Sequence, residues 1–181
     1  MKILEKDANK KFPFDWVNLD YLPESNGGKR EIYLQDNVNI TEGLIFMFYL
    51  LFRSTKNNIQ IYNSSWWDFC LDTWDSNKDK YNYEMEGKSD ETKDYLKILY
   101  ESHIEYGYSG SCNCFNWDRF LHVTLRCIIT HKAPYSPIFY EDRNDFFFYF
   151  HHSGSIGIYY KNNNEFINTI IKKASEEYRV V

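Results

Sequence analysis

The segment Asp145-Phe-Phe-Phe-Tyr-Phe-His-His-Ser-Gly-Ser-Ile-Gly-Ile-Tyr-Tyr160 decides the reading of the fold. Two strand-like runs, Asp145 to His151 and Ile156 to Lys161, flank Ser153-Gly154-Ser155, which predicts a β-hairpin. Downstream, Asn163 or Asn164 caps a predicted helix running to Tyr178, with Phe166, Ile167, Ile170 and Ile171 apolar, and Arg179-Val-Val181 follows as a short strand. Upstream, the apolar spacing turns helical. Thr41 caps a helix whose run Leu44 to Phe52 is apolar nearly all round, hence central. Ser65 caps a second helix to Trp74, and Ser89 or Asp90 a third to about Tyr106, with Tyr95, Leu96, Leu99 and Tyr100 as its stripe. A fourth spans Asn116 to about His131 and is broken by Ala133-Pro-Tyr-Ser-Pro137. Glu31 to Leu34 and Ile59 to Tyr62 read as strands, Pro13, Pro23 and Asn26-Gly27-Gly28 as turns, and Ser76 to Lys88 as a long loop. The result is one α+β domain over residues 1–181, with helices in the first two thirds and a β-hairpin–helix–strand at the C-terminal end.

Composition narrows the function classes. Aromatics make up 19% of the chain, with 16 Tyr, 14 Phe and 5 Trp, while alanine stands only at Ala8, Ala133 and Ala174. AT-rich coding bias accounts for part of that excess; the remainder offers large contact area at low entropic cost. The N-terminus carries no apolar signal region, and the run Gly43 to Phe52 is about half of what a membrane crossing requires. Four cysteines in such a chain suit a reducing compartment, so a soluble cytoplasmic protein without membrane association is expected. The net charge of −5 is unevenly spread. Residues 1–61 hold 8 basic and 8 acidic side chains, and residues 107–181 hold 8 and 7. Residues 62–106 hold 5 basic and 11 acidic, a net of −6. A nucleic-acid binder needs the opposite sign, so no nucleic-acid partner is expected.

Two constellations could carry chemistry. Cys112 and Cys114 in a loop, with Cys127 and His131 on one helical face, could close a tetrahedral zinc site. Their spacing is not that of the common zinc patterns, and buried free thiols are the competing reading, so no metal is expected. The triplets His122-Val-Thr124 and His151-His152-Ser153 suggest a small hydrolase or phosphoesterase with paired histidines. The first triplet falls in a predicted helix, and neither a Gly-x-Ser-x-Gly elbow, a Walker A loop nor a Gly-x-Gly-x-x-Gly turn is present. No catalytic residue and no cofactor is assigned.

The third constellation is an acidic surface with aromatic anchors. Tyr62, Trp66, Trp67, Trp74, Tyr81, Tyr83 and Tyr95 interleave with the eleven carboxylates of residues 62–106. Complementary charge speeds encounter with a basic partner, and desolvated aromatics hold the complex. The residues expected to touch the partner are Trp66, Trp67, Asp68, Asp72, Trp74, Asp75, Glu84, Glu86, Asp90, Glu91 and Asp94. A plain solvated face is the competing reading.

In profile the chain resembles bacterial toxin-immunity proteins, of the kind that accompany contact-dependent growth inhibition and related polymorphic toxins. It is small and acidic, lacks a catalytic motif, and ends in the Asp145 to Tyr160 segment, a helix and Arg179-Val-Val181, similar in style to the ends of several such proteins. The resemblance implies a non-enzymatic protein that binds one cognate toxin domain, often a basic nuclease, and blocks its active site.

Overall fold

In the computed structural model, which describes residues 1–20 and 25–181, the quoted segment is a regular antiparallel hairpin. The turn expected at Pro23 lies outside the described residues. In chain order the elements are β1 (Leu4–Lys6), β2 (Gly28–Tyr33), α1 (Ile40–Phe52), β3 (Gln60–Asn63), β4 (Trp74–Asp75) and β5 (Lys80–Tyr81). Then follow α2 (Asp90–Glu101), β6 (Gly110–Cys114), α3 (Trp117–Ile129), β7 (Ile138–Glu141), β8 (Phe146–His151), β9 (Ser155–Tyr160), α4 (Glu165–Glu177) and β10 (Arg179–Val180).

β8 and β9 pair from Phe146↔Tyr160 to His151↔Ser155. Gly154 turns the chain at φ 94°, a left-handed conformation that favours glycine. Alternation along the strands then fixes both faces of the sheet. Phe146, Phe148 and Phe150 join Ile156, Ile158 and Tyr160 in the main core, while Phe147 and Tyr159 stack at 4.8 Å in a second cluster. The hairpin is the middle of an eight-stranded antiparallel sheet of order β1-β6-β3-β7-β8-β9-β2-β10.

All four helices contribute to the main core. Phe48 and Phe52 of α1 lie on Phe148, the latter at 4.2 Å, and Trp117 of α3 stacks on Phe48 at 5.0 Å. Tyr95, Leu96, Ile98 and Leu99 of α2 and Ile167, Ile170 and Ala174 of α4 complete it. The opposite face is capped by Phe12, Phe14, Trp16 and Val17, which pack on Tyr62, Ile138, Tyr140, Phe147 and Tyr159.

The α+β class and the hairpin–helix–strand ending hold. Asn116 and Asn164 cap their helices as expected, and Ser89 caps α2, each accepting a backbone N–H of the first turn. Asn39 rather than Thr41 caps α1. α2 stops at Glu101, because His103 takes a left-handed conformation and the Ile104 N–H returns to the Leu99 carbonyl.

The helix expected from Ser65 to Trp74 does not form. Short polar side chains there bind the local backbone and one another: Asn63 accepts from the Ser65 N–H, Ser65 donates to Asp68, and Thr73 donates to the Cys70 carbonyl. Only one 3-10 turn, Leu71–Thr73, interrupts the loop before β4. The loop expected at Ser76 to Lys88 contains β5, which pairs with β4 in a small separate hairpin. β6 and β7 were also not expected, so the first two thirds are less helical than their apolar spacing suggests. Among the described residues no helix is long and apolar enough to cross a membrane.

Candidate functional site

The residues expected to meet a partner separate into three groups. Trp66 and Trp67 lie inside the protein, at 0% and 2% exposure, which corrects the expectation that they stand on the surface. Their indole N–H groups are satisfied internally: Trp66 donates to the Gly110 carbonyl and Trp67 to the Glu105 carbonyl, both at 2.9 Å. Trp74, in the same segment, is 44% exposed.

Most of the carboxylates are already engaged. Asp68 accepts from Ser65 and from the Tyr83 hydroxyl. Asp72 accepts from the Ser89 N–H at 2.9 Å and from the Thr92 hydroxyl, tying the loop to the start of α2. Partial burial pushes the Asp72 carboxyl up, but these hydrogen bonds outweigh it and hold the group below its ordinary value. Asp75 closes the β4–β5 turn by accepting from the Asn77 N–H at 3.0 Å. On α2, Glu91 and Asp94 pair with Arg126 at 3.3 and 3.6 Å, and Asp90 lies 3.8 Å from Lys93. Exposed pairs of this kind add little stability, and they neutralise part of the expected acidic face. Glu84 and Glu86 form the third group. Both are exposed, and among the described residues neither takes part in an ion pair.

Beside those two carboxylates the chain assembles a continuous aromatic ladder. β4 and β5 place Trp74 opposite Tyr81, with ring centroids 5.0 Å apart. Tyr81 lies 6.3 Å from Tyr83, and Tyr83 lies 5.2 Å from Tyr106, with interplanar angles of 8° and 13°. Tyr106 is bonded to Tyr100 through their hydroxyls at 3.0 Å. Trp67 is the floor, within 5.2 Å of Tyr83, Tyr100 and Tyr106. Trp74, Tyr81, Tyr100 and Tyr106 are all exposed, and Leu71 and Tyr135 are exposed from neighbouring turns. Burial, then the bond to Asp68, raises the Tyr83 phenol, while burial, the Tyr106 bond and Glu84 push Tyr100 up to about 12. Both therefore stay neutral at physiological pH.

Of the aromatics singled out in the sequence, Trp74, Tyr81 and Tyr83 stand in the ladder, and Tyr95 holds the place expected of it in the apolar stripe of α2. Tyr62 faces the second cluster on the opposite side of the sheet, and Tyr95 is fully buried, donating to the Trp66 carbonyl at 2.9 Å. Tyr106 was missed because α2 ends at Glu101 and leaves it outside the helix, and Tyr100, assigned to the apolar stripe, is exposed.

The structure does not bring the other constellations together. His122 donates from Nδ1 to the Asp118 carbonyl at 2.8 Å, and its Nε2 lies 3.1 Å from the Glu42 carboxylate, between α3 and α1. His151 bonds Ser153 at 2.6 Å, and His152 lies against His151 and His131, with ring centroids 4.4 and 4.9 Å apart. The histidine grouping is thus 131, 151 and 152, without His122. Cys112 is buried in the core from β6, and burial drives the neighbouring Cys114 thiol up to about 12. Cys127 is raised by its hydrogen bond with Cys70 and by burial, whereas His131 is exposed. Among the described residues no group of three or more His, Cys, Asp or Glu is placed to hold a metal ion. An open surface cleft of about 1040 Å³ lies beside Trp16, Lys29 and Tyr159, and no ladder residue, histidine or cysteine lines it. No protein-family model matches the chain, and no curated protein or solved structure does.

Proposed function

We propose that this chain is a cytoplasmic immunity protein that neutralises a cognate basic toxin domain, a nuclease being the best fit, by binding it one to one and covering its active site. The observation that supports the reading is the exposed aromatic ladder from Trp74 to Tyr106 bordered by the unpaired carboxylates Glu84 and Glu86. Exposed aromatics in a contiguous row keep apolar surface in contact with water at a cost that a partner removes. The carboxylates stand in for substrate phosphates in a basic cleft, and their field draws the partner in. The rings then supply the contact area that slows release. Because Trp67, Asp68 and the tyrosine hydroxyls hold the ladder in place, little ordering entropy is lost on binding.

The test is to purify the chain with the toxin domain encoded beside it. A one-to-one complex that abolishes the toxin's activity is expected, and Trp74→Ala with Tyr81→Ala should relieve the inhibition while leaving the melting temperature nearly unchanged. A fully inhibitory double variant places the contact elsewhere, and the absence of any complex contradicts the reading.

A further inference from the structure

Resting on that reading, we infer that the partner meets the ladder through an extended segment bearing arginine, whose guanidinium groups lie on the rings and pair with Glu84 and Glu86. Three features of the surface lead there. Three of the four ladder hydroxyls are already engaged, since Tyr83 donates to Asp68, Tyr100 donates to the Tyr83 carbonyl, and Tyr106 is bonded to Tyr100, so the strip offers mainly ring surface. A sugar, which needs many polar partners, finds few of them unoccupied.

Unpaired negative charge accompanies the apolar strip: Glu84 follows Tyr83 in the chain and acts on the Tyr100 phenol, and the exposed Glu86 stands two residues on. A ligand that satisfies both must be flat, cationic and cheap to strip of water. The guanidinium group stacks on aromatic faces, hydrates weakly and pairs with a carboxylate through two parallel hydrogen bonds. The lysine ammonium is compact and strongly hydrated, so it gains less on the same strip.

Finally, the steps between successive rings from Trp74 to Tyr106, between 5.0 and 6.3 Å, are close to the spacing of roughly 6.6 Å between same-side residues of an extended strand. A segment with arginine at alternate positions therefore keeps pace with the rings.

Trp74 itself reports on the contact. The other four tryptophans, Trp16, Trp66, Trp67 and Trp117, are each less than a tenth exposed, so a ligand on the surface perturbs the fluorescence of Trp74 first. The intact protein is titrated with (Arg-Ser)4, (Lys-Ser)4 and cellohexaose at low salt. A saturable response is expected, with the arginine peptide bound about tenfold more tightly than the lysine peptide. Tyr81→Ala and the pair Glu84→Gln, Glu86→Gln should each weaken the arginine peptide by about tenfold, with calorimetry as the readout and thermal melting as the check on folding. Equal binding of the two peptides overturns the arginine inference while leaving the acidic-surface reading intact. Binding of cellohexaose in preference to both overturns each of them. No saturable response from either peptide, in protein that still captures its toxin, overturns the inference alone.

Discussion

Trp67 lies in the loop before β4 and Trp74 opens that strand, and the two serve opposite ends. Trp67 is buried beneath three tyrosines with its N–H satisfied, so truncation leaves a cavity and an unsupported ladder. Trp67→Ala should destabilise the fold by about 3–5 kcal/mol in denaturant unfolding. Trp74→Ala, at an exposed position, should change stability by less than about 0.5 kcal/mol and instead weaken partner binding by about 2 kcal/mol, mainly through faster dissociation. Calorimetry and binding kinetics on the two variants separate the roles; equal effects on folding contradict them. Asp72 gives a second residue-level test. Its carboxyl is held below the ordinary 3.8 in the folded state, so the charged form stabilises folding above that pH, and the contribution is lost as pH falls through the folded value. Asp72→Asn should therefore lower the melting temperature by a constant amount from pH 7 to pH 5, and the difference should shrink below pH 3.8. A gap that persists unchanged into strong acid contradicts the hydrogen-bond account. The sequence pointed to this loop because its tryptophans and carboxylates cluster. It could not tell which tryptophan turns inward, since the bonds to Gly110 and Glu105 come from far along the chain.

Elements were legible where local pattern and tertiary demand agree. The β8–β9 hairpin has both: strict alternation puts one aromatic set on the helices, and glycine stands at the turn. Phe148 is its centre, between Phe52 at 4.2 Å and Phe139 at 5.1 Å. Phe148→Ala should cost about 3–5 kcal/mol in unfolding free energy, and a loss below about 1 kcal/mol contradicts the packing described here. The capped helices were legible for the same reason, each asparagine or serine answering an unpaired first-turn N–H. β6 was not. Its sequence, Gly-Ser-Cys-Asn-Cys, has little intrinsic strand preference, and pairing with β1 on one side and β3 on the other imposes the conformation. The loop of residues 65–73 failed for the converse reason. Its spacing suits a helix, but its side chains are held by partners that a helix cannot reach at once.

At the scale of the molecule, charge and shape act together. The sheet order interleaves strands from both ends of the chain, with β2 between β9 and β10 and β1 beside β6, and all four helices pack into the main core. Residues 62–106 carry a net of −6 against near neutrality elsewhere. Ion pairs with Arg126 and Arg119 blunt that charge along α2 and at its end. The ladder with Glu84 and Glu86 is where aromatic surface and unpaired charge coincide. Composition alone revealed the charge imbalance, but only the fold shows where along the segment it remains free. Stopped-flow association with the cognate toxin domain, across salt and in the Glu84→Lys, Glu86→Lys double variant, tests this most directly. The association rate should fall as salt rises, and the charge reversal should slow association by about tenfold at low salt with little change in dissociation. Tight binding with an association rate indifferent to both salt and charge reversal would contradict the role assigned to this surface.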